Sequence, residues 1–277
     1  MYGWVINGFG VEVTMSQDTV FVDSNGRVIP FAEERVYSFL DRRYFCLDKQ
    51  DISLAKVYDK YREIFGAEML AGINLEKFVN KIETLHRNLE MDQSMANLLS
   101  GVSVPFILPR KNLIDSAGGW DFLLECVKKS FENSFPEYEF RNIPQEALDV
   151  EVVPESRWSF LEKEFERNPI VGLYFPTALS GFAIPDHVKV LSRLDKRFVL
   201  SGIPEVACAL VGSPGLLMKS DGKYPNLLSL SSFKSRNSSD QHFFWFFEAY
   251  GWNLYFNKRS MLGAVSEYYS GGLTLFA

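Results

Sequence analysis

The sequence predicts an α+β fold with a small N-terminal β-hairpin element, a mainly helical middle and a C-terminal, mostly antiparallel sheet that carries an aromatic-rich hairpin. Three observations lead to this order. Apolar residues alternate between turn-forming residues before position 30, and they recur at helical spacing as far as about residue 167. Beyond Pro169 they form short runs between Gly, Pro and Ser, which is typical of strands.

Short antiparallel strands joined by tight turns are predicted for the N-terminus. Apolar residues alternate as far as Val22, and the segment 23–26 (DSNG) favours a turn. A first helix is predicted over residues 32–44. Pro30 precedes it at a position where a first-turn proline is tolerated, and apolar residues follow at helical spacing.

Four further helices follow from the spacing of apolar residues. Asn74 is a suitable N-cap for one of them, and Gly66 has the position of a C-terminal glycine in another. A strand is predicted between them at residues 102–108, and Pro105 places it at a sheet edge because proline donates no ladder hydrogen bond. The four helices cover residues 51–66, 74–89, 120–131 and 155–167.

The segment 142–156 contains two prolines and one short strand candidate, and we place a domain boundary there. This gives a β-hairpin plus helical region over residues 1–148 and an α+β region over residues 149–277, which can also form one compact unit. In the second region, Ile-Pro-acid sequences at 184–186 and 203–205 follow Gly turns and predict helix starts. Strands are predicted at residues 170–175, 198–200, 207–211, 227–230 and 272–276, and a polar loop at 231–240.

The densest feature of the sequence is an aromatic block at residues 242–256 (HFFWFFEAYGWNLYF), in which nine of fifteen residues are Phe, Trp or Tyr. Two structures compete for it: a helix capped by Asp240 and ended by Gly251, or a hairpin that turns at residues 249–251. Aromatic enrichment and the alternation of the second half favour the hairpin. Its first strand is apolar on both faces, which is typical of a central strand in a covered sheet.

Composition excludes several classes of protein. With 47% apolar and 23% charged residues, the chain of 277 residues is expected to be globular and soluble. A net charge of −6 disfavours binding to nucleic acid or to an anionic membrane, and no apolar run is long enough to span a membrane. The N-terminus lacks a secretory signal, and apolar neighbours predict buried free thiols at Cys126 and Cys208, so we expect a cytoplasmic protein.

No motif in the sequence indicates a particular catalytic reaction. The three histidines and three cysteines are scattered, without the spacing of a metal site, so neither a metal nor another cofactor is predicted. The segment 211–220 (VGSPGLLMKS) resembles a phosphate loop only in part, because Met218 stands where glycine is needed and Pro214 removes an amide donor. No GxSxG sequence is present either.

The weak catalytic candidates are Asp186, His187 and Lys219. His187 follows Asp186 in a predicted first helical turn, where the helix dipole disfavours the imidazolium and a neutral base is possible. Adjacent residues point about 100° apart on a helix, so Asp186 need not touch His187. A solvent-facing pair with no function explains the same residues.

Three functions are compatible with the sequence. The favoured one is a non-enzymatic module that binds another protein through residues of the aromatic block, because Trp, Tyr and Arg dominate interface hot spots. The alternatives are a hydrolase or transferase whose site is assembled from distant residues, and a small-ligand binder with an aromatic-walled pocket. No oligomeric state is predicted. The binding residues under the favoured function are Trp245, Tyr250, Trp252, Tyr255 and Arg259.

Overall fold

The computed structural model describes residues 20–31, 34, 36, 45–49, 51–70, 72–143, 150–218, 223–236, 242–260 and 263–277. Helices occupy the middle of this part of the chain and strands its C-terminal end, which confirms the α+β class. The helices are α1 (Leu54–Met69), α2 (Leu75–Glu90), α3 (Lys111–Ala117), α4 (Trp120–Ser134), α5 (Trp158–Arg167), α6 (His187–Arg193) and α7 (Ile203–Gly212). The strands are β1 (Val104–Leu108), β2 (Phe140–Asn142), β3 (Glu151–Val152), β4 (Ile170–Phe175), β5 (Phe198–Leu200), β6 (Leu227–Arg236), β7 (His242–Tyr250), β8 (Asn253–Arg259), β9 (Tyr269–Gly271) and β10 (Leu273–Phe276).

The strands form two sheets. One is fully antiparallel with the order β1-β4-β10-β5, and Pro105 lies in its edge strand β1, as predicted. The other has the order β2-β8-β7-β6-β3, with β9 beside β6. In the second sheet the β2–β8 and β6–β9 pairs are parallel and the remaining pairs are antiparallel. Each sheet combines strands from both sides of residue 148, and the division into two domains stays a prediction.

The helices predicted between residues 51 and 167 are present; the predicted cap of α2 is confirmed, whereas the predicted end of α1 at Gly66 is wrong. The side chain of Asn74 accepts a hydrogen bond from the Lys77 amide (2.8 Å), so it caps α2 as predicted. Gly66 has a φ of 77°, which kinks α1 without ending it, and the helix continues to Met69. The apolar stripe of α2 faces the core through Phe78, Ile82, Leu85 and Leu89.

Most of the predicted N-terminal element, including residues 1–19, lies outside the described residues. The turn predicted at residues 23–26 is present, because Val22 and Val28 form an antiparallel bridge across it. The helix predicted at residues 32–44 also lies largely outside the described residues. Val36, which is described, forms an antiparallel bridge with Phe182.

The strand predicted at residues 207–211 is wrong, because these residues belong to helix α7. The helix begins at the predicted Ile-Pro-Glu start, and all its residues are buried. A helix that is apolar on every side shows no helical periodicity, so a short run of it looks like a buried strand. It contacts α1 and α4, and it reaches both sheets through β1, β4 and β6.

The aromatic block forms the predicted hairpin. Strands β7 and β8 pair antiparallel, and Gly251 and Trp252 form the turn between them. Strand β7 is central, because β8 and β6 flank it. Trp245 and Phe247 face the main core, whereas Phe244 and Phe246 face a second, smaller apolar cluster. Both faces of β7 are therefore covered, as the alternation predicted.

The polar loop predicted at residues 231–240 is wrong over residues 231–236, which belong to strand β6. The strand continues to Arg236, and residues 237–241 lie outside the described residues. Ser231 and Ser232 are buried, and the Ser232 hydroxyl donates a hydrogen bond to the carbonyl of Leu200. Buried hydroxyls that find acceptors in this way allow a polar sequence to form an inner strand.

Cys126 and Cys208 are buried free thiols, as predicted, and burial raises the pKa of the Cys126 thiol to about 12. Thiols in such surroundings are chemically inert. Among the described residues, every helix is too short or too polar to cross a membrane.

The first turn of α7 buries a carboxyl group. Glu205 is inaccessible to solvent, its Oε1 accepts a hydrogen bond from the amide of Gly202, and its Oε2 accepts one from the indole of Trp158 (3.3 Å). Loss of hydration raises the pKa of Glu205 to about 7, although these hydrogen bonds oppose the shift. The contact with Trp158 joins α5 to the start of α7.

We expect Glu205→Gln to change how stability depends on pH. The folded pKa of about 7 exceeds the unfolded value of 4.5, so the unfolded chain loses its proton first and the wild type loses stability as pH rises between these values. The gap corresponds to roughly 3 kcal/mol. The unfolding free energy of the variant, measured in urea, should therefore rise relative to wild type by about that amount from pH 4.5 to pH 7.

Glu125→Gln is the matched control for this experiment, since Glu125 lies exposed on α4. The difference in unfolding free energy between this control and the wild type should stay nearly constant with pH. A constant difference for Glu205→Gln as well would contradict the burial of a protonated carboxyl at this position.

Candidate functional site

The exposed end of the β7–β8 hairpin carries a cluster of aromatic side chains. Tyr250 is 75% exposed and Trp252 44% exposed, and Tyr255 is partly exposed. Two residues from β2 and the segment before it, Tyr138 and Arg141, lie beside them. We call these five residues the aromatic tip. Large exposed aromatic side chains grouped in this way mark interaction surfaces more often than isolated ones do.

The rings of the aromatic tip form two separate pairs. Tyr138 and Trp252 stack nearly parallel, with ring centroids 5.6 Å apart and an interplanar angle of 13°. Tyr250 and Tyr255 meet edge to face at 6.4 Å, and the guanidinium of Arg141 lies 5.9 Å from the ring of Tyr255. Such pairs are favourable beyond the area that they bury, so they hold the rings in defined positions.

The local backbone explains how the aromatic tip is assembled. Gly251 has a φ of 67°, a conformation that the tight turn requires and that glycine adopts at little cost. The side chain of Asn253 accepts a hydrogen bond from the Glu139 amide (2.9 Å), and the Leu254 amide donates to the Glu139 carbonyl (3.0 Å). These bonds hold the segment before β2 against the start of β8. They place Tyr138 beside Trp252, and the parallel pairing places Arg141 opposite Tyr255.

The polar ends of the aromatic tip have no partner within the described part of the chain. There, the hydroxyls of Tyr138, Tyr250 and Tyr255 and the indole N–H of Trp252 make no hydrogen bond. Arg141 pairs with Glu139 (3.0 Å), but both side chains are exposed, and such a pair contributes little. The tip therefore offers apolar ring surface together with hydrogen-bonding groups.

Two residues predicted to bind a partner lie away from the exposed tip. Trp245 is 1% exposed, stacks on Phe256 at 5.3 Å and belongs to the core. Arg259 is partly exposed, but its guanidinium lies 5.0 Å from the ring of Phe246 and 3.5 Å from a carboxylate oxygen of Glu248. Alternation along β7 explains why Trp245 is buried, because Trp245 lies on the face of the strand that packs against the main core.

The sequence-based prediction missed Tyr138 and Arg141. They come from the segment around β2, which pairs with β8 although it lies far away along the chain. The alternation of Tyr138 and Phe140 after Pro136 indicates an extended segment, but nothing in it indicates which strand it joins. Only the parallel pairing with β8 brings it to the hairpin.

The predicted catalytic residues Asp186 and His187 are both buried. Asp186 forms an ion pair with Lys189 (2.8 Å), three residues along the chain. The Nδ1 atom of His187 lies 2.6 Å from the Ser231 hydroxyl. The ring also fills the space beside Gly271, where an added Cβ would lie 2.2 Å from Cε1. Lys219 lies outside the described residues.

Ser231 lies in a buried network of hydroxyl groups. Ser229 donates its single hydroxyl proton to the carbonyl of Ser270 (3.0 Å). The Ser231 hydroxyl lies 3.2 Å from that of Ser229 and 2.6 Å from Nδ1 of His187. The tautomer of His187 decides which of His187 and Ser231 donates. The Nε2 atom of His187 has no hydrogen-bond partner within the described residues.

Burial lowers the pKa of His187 to about 4, while the Phe182 carbonyl and the charge of Asp186 act in the opposite direction. The imidazole is therefore neutral at physiological pH. Ser231 was missed by the sequence-based prediction because its polar neighbours indicated a loop. The catalytic assignment of Asp186, His187 and Lys219 stays a prediction.

Within the described part of the chain, no group of three or more His, Cys, Asp or Glu side chains is arranged to hold a metal ion. Comparison of this chain with protein family models, with curated proteins and with solved structures found no match. The candidate site consequently rests on geometry and chemistry alone.

We expect His187→Asn to reverse a loss of stability in acid. The folded pKa of about 4 lies below the unfolded value of 6.5, so the unfolded chain takes up the proton first and the wild type loses stability as pH falls from 6.5 to 4. Asparagine can keep a hydrogen bond to Ser231 but cannot ionise. Its unfolding free energy should therefore rise relative to wild type by roughly 3 kcal/mol over that range.

His86→Gln serves as the comparison, since His86 on α2 is only partly buried and should give a smaller change. The pH effects of His187 and Glu205 have opposite signs and overlapping ranges, so together they nearly cancel in the wild type. Urea titrations between pH 4 and pH 7 measure each single variant. A difference for His187→Asn that does not change with pH would show that folding leaves the pKa of His187 unchanged, and it would contradict this prediction.

Proposed function

We propose that this chain is a non-enzymatic module that binds another protein through the aromatic tip. The observation that carries the proposal is the exposure of Tyr250 and Trp252 in a group of five side chains that are all Tyr, Trp or Arg. These are the three residue types most enriched at the energetic centres of protein interfaces. Exposed side chains of this size lose much water-accessible apolar surface when a partner covers them.

The geometry of the aromatic tip also favours tight association. The two ring pairs hold their side chains in place before a partner arrives, so little side-chain entropy remains to be lost on binding. Tyrosine and tryptophan have few rotatable bonds and provide a large contact area, which is why binding loops use them so often.

The free polar groups indicate the chemistry of the partner. Four aromatic side chains present a hydroxyl or an indole N–H without a partner among the described residues. Burial of such groups is costly unless they find hydrogen-bond acceptors. The partner is therefore a protein with an apolar recess for the rings and with carbonyl or carboxylate oxygens at its rim. The buried free thiols of Cys126 and Cys208 support a reducing, cytoplasmic environment for the complex.

The other functions suggested by the sequence have less support. His187 and Asp186 are inaccessible to solvent, so a substrate cannot reach them. Two cavities formed by described residues lie beside α1, α2 and α5, away from the aromatic hairpin.

We expect the double variant Tyr250→Ala/Trp252→Ala to lose binding. A photoreactive residue at position 250 should first identify partners that a photoreactive residue at position 160 does not capture. With each purified partner, calorimetry should then show a Kd at least about 30-fold higher for the double variant, since hot-spot residues contribute about 2 kcal/mol or more. Both side chains are exposed, so the melting temperature should change little.

Phe160→Ala is the matched control, because Phe160 on α5 is 55% exposed and lies outside the aromatic tip. Its Kd should stay within about twofold of wild type. Unchanged affinity of the double variant for every partner captured at position 250 would overturn the proposal. The captured partner can also be another copy of this chain, and sedimentation velocity of the purified chain tests for such self-association.

A further inference from the structure

We propose that a cavity between α2, α5 and the segment after β1 binds the phosphate group of a phosphorylated small molecule. The cavity has a volume of about 370 Å³, within the range of ligand sites. Three cationic side chains line it: Lys81 from α2, Arg110 from the end of β1, and Arg167 from the last turn of α5. We call it the cationic cavity. It is separate from the aromatic tip.

Three cationic side chains line the cationic cavity, against one acidic side chain among the described residues. That acid is Glu164, whose Oε1 accepts a hydrogen bond from Asn168 (2.9 Å), and a backbone oxygen of Ala277 in the same wall accepts one from Lys81. Arg110 and Arg167 form no ion pair within the described residues. In a chain with a net charge of −6, a local excess of cations is unusual and focuses an attractive field on anions.

Arg110 adds a guanidinium group beside the cationic cavity. Its Nε is buried and has no hydrogen-bond partner among the described residues, so a ligand in the cavity would meet the other N–H groups of the guanidinium. Phosphate oxygens match the planar donor fork of arginine. Lys81 donates one hydrogen bond to the carbonyl of Ala277 (3.2 Å), and the ammonium group has two further donors.

A neighbouring cavity extends the same cationic surface. It also has a volume of about 370 Å³, shares Gly72 and Ile73 with the cationic cavity, and is lined by Arg62 and Lys77 as well as by Tyr58 and Leu70. Lys77 and Lys81 are four residues apart on α2, where like charges repel unless an anion lies between them. The aromatic and apolar walls suit the carbon body of a ligand whose phosphate group occupies the cationic cavity.

The test uses the full chain with three probes: inorganic phosphate, pyrophosphate and phenyl phosphate. Calorimetry and thermal denaturation are run at constant ionic strength with sodium chloride as the balancing salt, which removes general screening effects. We expect saturable binding and stabilisation by all three probes. Phenyl phosphate should bind more tightly than inorganic phosphate, since its ring can contact Tyr58 and Leu70.

The key variant is Lys81→Gln/Arg167→Gln, because both side chains are at least partly exposed and their loss should leave the fold intact. Its Kd for pyrophosphate should rise by at least about tenfold for each cation removed. Arg110→Gln should weaken binding in the same way. Lys196→Gln is the control, since Lys196 is an exposed cation outside the cavity, and its Kd should equal that of wild type.

Three results would overturn the proposal: no saturable binding of any probe, stabilisation that chloride reproduces, or equal Kd values for the wild type and Lys81→Gln/Arg167→Gln. The double variant of the aromatic tip should bind pyrophosphate like the wild type. This comparison separates a failure of the cationic cavity from a failure of the proposed protein-binding surface.

Discussion

The burial of α7 against both sheets is the constraint on which the other elements depend. All its side chains are inaccessible to solvent, and all except the Glu205 carboxyl are apolar. Helix α1, helix α4 and strands of both sheets therefore cover it on every side. The carboxyl of Glu205 accepts hydrogen bonds from the Gly202 backbone and the Trp158 indole, which joins the first turn of α7 to α5. A helix enclosed in this way provides the core and leaves no surface of its own for function.

The same demand for burial explains why the aromatic block is mostly structural. Strand β7 lies between β6 and β8 and is covered on both faces, so Phe244, Trp245, Phe246 and Phe247 fill two apolar clusters. Where the hairpin extends past this cover, the rings of Tyr250 and Trp252 become largely exposed. Core and interface are therefore successive parts of one hairpin, and the aromatic tip gains its rigidity from the sheet that supports it.

Much of the fold could be predicted from local signals, and the exceptions have physical causes. Asn74 marks the start of α2 and Pro105 the edge position of β1 through backbone chemistry that acts within a few residues, so both were predicted correctly. The helix at residues 207–211 lacks periodicity because it is buried on all sides, and the serines of β6 resemble a loop because their acceptors are distant in sequence. In the candidate site, Tyr250, Trp252 and Tyr255 were predicted, whereas Tyr138 and Arg141 depend on the pairing of β2 with β8.

The sequence by itself determined the α+β class, the ends of most helices and strands, the hairpin in the aromatic block and the burial of two thiols. Each of these follows from periodicity, capping residues or composition, which act over short stretches of chain. The tertiary structure alone decided which aromatic side chains reach solvent, that His187 contacts Ser231, and that Lys81, Arg110 and Arg167 share a cavity. Those features depend on contacts between residues far apart in the chain, and a single sequence carries no local signal for them.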